Sequence, residues 1–146
     1  MAAVKDLLEG KGYTVWTAKP EDSLLQALNV MADNHIGALP VMEDGKVVGI
    51  FSERDFARHA VKFSDCLKMD TTVDQLMTHP VYFVSPEQTV DDCMAVMTAK
   101  KLRHLPVLEN GNLIGLISIG DVVKYLLADK QETIELLEHF LWANLI

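Results

Sequence analysis

Apolar residues follow a helical spacing early in the chain. Leu24, Ala27, Leu28, Met31 and Ala32 stand at i, i+3, i+4, i+7 and i+8, which places them on one face of a helix. The spacing then changes. Residues 38–42 and 46–51 are short apolar runs parted by Glu43-Asp44-Gly45, and an Asp-Gly step between such runs predicts a β-hairpin. A second helix is expected over 53–61, and a short strand over 14–17 precedes the first helix. The same order returns further on. An extended stretch at 81–84 leads to the helix start Ser85-Pro86-Glu87, with Val90, Cys93, Met94 and Met97 on one face. A hairpin turning at Asn110-Gly111 and a helix over 119–128 complete it. Residues 62–72 form a polar linker, and 73–77 form a short helical turn ending at Thr78-His79-Pro80. A helix over 3–8, stopped by Gly10 and Gly12, opens the chain.

The two halves are copies. Sliding the chain by 66, the step from Pro40 to Pro106, aligns residues 20–55 with 86–121 without a gap. Leu39-Pro40-Val41 meets Leu105-Pro106-Val107. Gly45, Gly49, Ser52 and Asp55 meet Gly111, Gly115, Ser118 and Asp121. The expected architecture is α/β of the α+β type: two pseudo-symmetric repeats, each strand-helix-strand-strand-helix, with short N- and C-terminal helices. The expected units are 8–65, 74–130 and a C-terminal helix over 131–146. On that helix Ile134, Leu137, Leu141 and Leu145 share a stripe, with Phe140 and Trp142 nearby. A tail so apolar is expected to pack on another subunit; the alternative is that it closes the chain's own core.

Composition narrows the function. The chain has 146 residues, 49% of them hydrophobic and 23% charged, as in ordinary globular proteins, so disorder is not expected. No apolar run approaches the roughly 20 residues of a membrane span, and no basic-then-apolar leader opens the chain, so a cytoplasmic location is expected. A net charge of −8 argues against nucleic acid and anionic lipid as partners. Cys66 and Cys93 are expected to be free thiols, with Cys93 a core residue, and scattered histidines at unsuitable spacings give no expectation of a metal.

Chemistry concentrates after the last strand of each repeat. Gly49-Ile50-Phe51-Ser52-Glu53-Arg54-Asp55 and Gly115-Leu116-Ile117-Ser118-Ile119-Gly120-Asp121 both run from a strand into a helix start. Unpaired amides and partial positive charge at such a start suit an anion, and an aspartate one turn on offers acceptors for ribose hydroxyls. Ser-x-x-Asp is equally a capping box, in which the side chains satisfy the helix's own amides. Lys100-Lys101-Leu102-Arg103-His104 is the densest basic cluster and suits phosphate; a solvated helix end explains it as well. The matching positions in the first repeat carry no Arg or Lys, and Arg54 compensates there. No nucleophile–base set and no Gly-rich nucleotide loop stands out, so catalysis is not expected.

The tandem repeat, the Leu-Pro-Val strand with its hairpin and the Gly-h-h-Ser-x-x-Asp ending resemble a tandem pair of CBS domains, a Bateman module, from Thr14 to Leu127. The resemblance implies a pseudo-two-fold unit with two clefts, a homodimer formed through the helices of the pair, and adenosine ligands: AMP, ADP or ATP first, then NAD or S-adenosylmethionine. By position it implies that Asp55 and Asp121 hold ribose hydroxyls, and that Ser52 and Ser118 touch phosphate or sugar. Arg103 and His104 are implied to meet phosphate. Ala38 and Val81 are implied to line an adenine pocket with main-chain groups from Thr78 to Pro80. The expected function is a non-enzymatic sensor that binds one nucleotide per chain in the cleft holding Arg103 and His104, and so modulates an unidentified partner enzyme. The alternative is a ligand-free scaffold for protein association.

Overall fold

The computed structural model describes residues 2–128 and 131–143. In chain order the elements are α1 (Val4–Lys11), α2 (Leu24–Asp33), β1 (Ala38–Glu43), β2 (Lys46–Ser52), α3 (Glu53–Lys62), a 3₁₀ turn (Val73–Gln75), α4 (Val90–Lys100), β3 (His104–Glu109), β4 (Asn112–Ser118), α5 (Ile119–Leu127) and α6 (Gln131–Ala143). The fold is mixed α+β. β1 pairs antiparallel with β2, and β3 with β4, in matching registers that each break at one bulge. Asp44 and Gly45 have φ of 51° and 76°, and Asn110 and Gly111 have 53° and 81°. Positive φ at both central residues makes the tight turn whose twist suits a two-residue hairpin.

The strands expected at 14–17 and 81–84 shrink to single bridges, Ala18 to Val41 and Val84 to Val107. Ala18 donates to the Pro40 carbonyl and accepts from the Met42 amide. The next rung of a parallel ladder would need the amide of Pro40 to donate to Trp16, and proline has none. Pro106 ends the second ladder beside Tyr82 in the same way. The first helix also differs from expectation: it runs through Gly10 to Lys11 and stops at Gly12, where φ is 105°.

Each core is completed by the segment that precedes the other repeat. Val4, Leu7 and Leu8 of α1 pack with Val84, Val90, Cys93, Met97, Leu105, Val107, Ile117 and Val122 of the second repeat. Val73, Leu76 and Met77 pack with the core of the first, around Leu24, Met31, Leu39 and Phe51. The main chain repeats the exchange. Val4 donates to the Gln88 carbonyl and Val73 to that of Asp22, while Val90 donates to Ala2 and Leu24 to Thr71. The exchanged segments are a further repeat, Val4-Lys5-Asp6-Leu7-Leu8 against Val73-Asp74-Gln75-Leu76-Met77. Their step, Val4 to Val73, is 69, three more than in the body of the repeat, so a gap-free comparison misses it. Leu8 lies over Gly115 as Met77 lies over Gly49. Cys93 is fully buried, and burial pushes its thiol up to about 11.

An added Cβ at Gly115 would lie 2.7 Å from Leu8 Cδ2, and Leu8 is fully enclosed. Gly115→Ala is expected to destabilise the protein by about 1–3 kcal/mol through overpacking. Leu8→Ala alone leaves a cavity, and the double variant should cost less than the two singles together. Urea unfolding of the four proteins measures this, and strict additivity would show that the α1 contact does not hold the second repeat.

Candidate functional site

The strand-to-helix corner of each repeat is built by its own capping. At the start of α3, Ser52 Oγ accepts from the Asp55 amide at 3.2 Å, and Asp55 Oδ2 accepts from the Ser52 amide and hydroxyl at 3.0 Å. At α5, Ser118 Oγ accepts from the Asp121 amide at 3.1 Å, and Asp121 Oδ2 from the Ser118 amide at 2.8 Å. Both boxes are formed, so these four residues satisfy the helix ends. Capping commits one oxygen of each aspartate and leaves the other free to meet something else.

The two corners differ in what meets them. Asp55 Oδ1 accepts from the Thr78 hydroxyl at 3.0 Å, and the Thr78 amide donates to the Ile50 carbonyl at 2.8 Å. This corner opens into a cavity of about 330 Å³, within the usual size of small-molecule sites. Gly37, Ile50, Ser52 and Thr78 line one side, with Glu53, Arg54, Asp55 and Arg58 from α3. The loop from Lys100 to His104 closes the other side. Arg54, Arg58, Lys100, Lys101 and Arg103 thus face one space with only Glu53 and Asp55 as acids, and none of the five cations pairs with either acid within 4.0 Å. In an acidic chain this is a local basic patch.

Arg103 and His104 share this wall because only His104 belongs to β3. Arg103 lies in the bend before it, so the alternation that would send neighbours to opposite faces does not apply. The His104 ring lies over Gly37, where a Cβ would come within 3.5 Å of the ring. Burial, and after it the Lys11 ammonium, lowers the His104 pKa below its ordinary 6.5, against the pull of Asp121.

The aspartate that joins Arg103 and His104 along this wall is Asp55 of the first repeat. Asp121 lies in the other corner, where Lys11 pairs at 2.5 Å with Oδ2, the same oxygen that caps α5, and also donates to the Leu116 carbonyl. Burial alone would raise the Asp121 carboxyl; the Lys11 ammonium and the Ser118 amide outweigh it and hold the group below 3.8. Pro80 and Val81 line a separate cavity of about 410 Å³ with Val47, Val48, His79, Phe83, Pro106 and Leu108. Ala38 lies in the interior. It has no exposed surface and lines neither cavity, because its β1 position points into the protein. Sequence reasoning missed Arg58 and Lys11. Arg58 stands four residues after Arg54 on one helix face and was legible as such. Lys11 carried no signal, because its partners lie more than a hundred residues away. Among the described residues no cluster of His, Cys, Asp and Glu could hold a metal ion, and no helix is long and apolar enough to cross a membrane.

The family model for the CBS domain matches twice, at residues 11–62 and 73–128. The chain is 30% identical to the mitochondrial CBS domain-containing protein CBSX3 of Arabidopsis thaliana, over 94% of this chain and 71% of that one. The crystal structure of the CBS domain protein NE2398 superposes with a TM-score of 0.83 at 48% identity, over 87% of this chain and 99% of the other. The structure of CBSX2 in complex with AMP superposes at 0.73 and 26% identity, over 89% and 99%.

A depressed histidine pKa has a definite sign. Above 6.5 both folded and unfolded chains hold neutral His104; as pH falls below 6.5 the unfolded chain takes the proton first, so stability is lost down to the folded pKa. An NMR titration is expected to place the His104 midpoint below 6.5 in the free protein. Inorganic phosphate should move it upward, because an anion in the cleft favours the imidazolium. A free-protein midpoint at or above 6.5 contradicts this geometry.

Proposed function

The chain belongs to the CBS-domain family, and we propose from that premise that it is a non-catalytic sensor which binds one phosphorylated adenosine in the cleft of Asp55, Arg103 and His104. The observation that carries the reading is the union, in one cavity, of a ribose-type carboxylate with five cations that no acid there neutralises. Asp55 accepts from ribose hydroxyls, and the guanidinium groups of Arg54, Arg58 and Arg103 hold phosphate oxygens with Lys100 and Lys101. The α3 N-terminus adds its dipole. Ser52 is used by the cap and contributes position. AMP bound to the related CBSX2 supports an adenosine ligand in this fold. The second corner, with Ser118 and Asp121, stays empty of nucleotide; Val81 and Pro80 border the neighbouring apolar cavity and receive no role in phosphate binding.

Charge orders the ligand class. AMP, ADP, ATP and NAD carry the negative groups this wall recognises, whereas S-adenosylmethionine presents a sulfonium and an ammonium to it. Calorimetry is expected to show AMP and ATP binding, with S-adenosylmethionine at least tenfold weaker. Asp55→Ala should raise the Kd for AMP by about 10–100-fold, as the loss of a charged hydrogen-bond partner implies. A melting scan that finds no stabilisation by any of these ligands would instead leave an association scaffold.

The signal leaves through a homodimer. Ile119, Val123 and Leu126 stand at i, i+4 and i+7 on α5, each 40–42% exposed, and Leu136, Leu137, Leu141 and Trp142 of α6 are open as well. Leu145 of the expected stripe lies outside the described residues. A second copy of the chain covers this surface in our reading. Nucleotide binding changes the geometry of the pair and so biases a partner enzyme, to the extent that the nucleotide prefers one arrangement. Native mass spectrometry should find a dimer with one nucleotide per chain, and Val123→Lys should yield folded monomers. A wild-type monomer at micromolar concentration removes this part of the reading.

A further inference from the structure

The two strand-to-helix corners are alike in sequence but not in what holds their aspartates. In the first repeat Thr78 makes three bonds: its amide donates to the Ile50 carbonyl, its carbonyl accepts from the Ile50 amide, and its hydroxyl donates to Asp55 Oδ1. In the second repeat the Lys11 ammonium donates to the Leu116 carbonyl and to Asp121 Oδ2, the oxygen that also accepts from the Ser118 amide. A neutral hydroxyl meets one aspartate and a cation the other. The Lys11 side chain is 34% exposed, but its backbone is fixed. Lys11 is the last residue of α1, whose Leu8 is locked over Gly115, and the Gly12 amide closes the helix on the Leu8 carbonyl at 2.6 Å.

We propose that Lys11 is a built-in occupant of the second corner, whose ammonium neutralises the Asp121 carboxylate beside which a ribose would sit and so restricts the chain to one nucleoside. This inference rests on the nucleotide-sensor reading and adds the residue that makes the corners unequal. A ribose hydroxyl is a neutral donor and makes a weaker bond to a carboxylate than an ammonium does. The second corner also lacks counterparts of the first corner's cations. Gly120 replaces Arg54, and Asn34 to Ala38 replace Lys100 to His104, so a phosphate gains little there to offset the lost ion pair.

Adenosine and AMP, titrated into the full chain and followed by amide NMR, test this. In the wild-type protein both should shift the amides of Ser52, Asp55 and Thr78 and leave those of Ser118 and Asp121 still. In Lys11→Met, adenosine should shift the second set too, as a second equivalent. Lys11→Arg, which keeps the cation, should behave as wild type. Lys11→Gln, which can keep the carbonyl contact, serves should Lys11→Met fail to fold. Wild-type shifts at Ser118 and Asp121 to the same extent as at Ser52 and Asp55 overturn the proposal. So does a folded Lys11→Met or Lys11→Gln with the second set unmoved; the sensor reading survives that result. Absence of any shift in every protein instead removes the sensor reading, and this inference with it.

Discussion

Neither repeat of this protein can close its own core. The hairpin and its two helices leave an apolar floor at Gly49 or Gly115, and a side chain from before the other repeat fills it. That exchange is the constraint from which the rest follows. It makes two homologous units one cooperative body, since removing either exchanged segment opens the core of the repeat to which it is not adjacent in sequence. It also fixes the corners. α1 must end beside the α5 corner and the 73–77 segment beside the α3 corner, so Lys11 and Thr78 are delivered to their aspartates by packing.

Four side chains serve the helix ends, and two of them, Ser52 and Asp55, also line the cavity. Ser52, Asp55, Ser118 and Asp121 all cap, and at the first corner capping leaves Asp55 Oδ1 to meet Thr78 at the edge of the cavity. The structural and the ligand readings of Ser-x-x-Asp are therefore compatible. What separates the corners is the electrostatic setting. One aspartate sits opposite unneutralised cations with a hydroxyl beside it; the other is already half of an ion pair. The net charge of −8 predicts neither, because short-range groups dominate the field inside a cavity whatever the sum over the surface.

Local pattern was legible where local physics decides. The hairpins, the amphipathic helices and the caps were readable because turn residues, periodicity and Ser-x-x-Asp act over a few positions. The strands at 14–17 and 81–84 were over-read, since alternation does not reveal that the partner rung falls on Pro40 or Pro106. The α1 motif went unnoticed as a repeat because three extra residues shift its step to 69.

By itself, then, the sequence determined the number of repeats, their element order, the corner at which each helix begins and the residues that cap it. Each of these depends on neighbours within a turn or a strand. Only the tertiary structure decided that the basic loop at Lys100–His104 faces Asp55, that Ala38 is sealed in the interior and that Lys11 reaches Asp121. Those pairings join residues brought together by the pseudo-two-fold packing of the two repeats. No periodicity along the chain encodes which repeat's loop meets which repeat's helix.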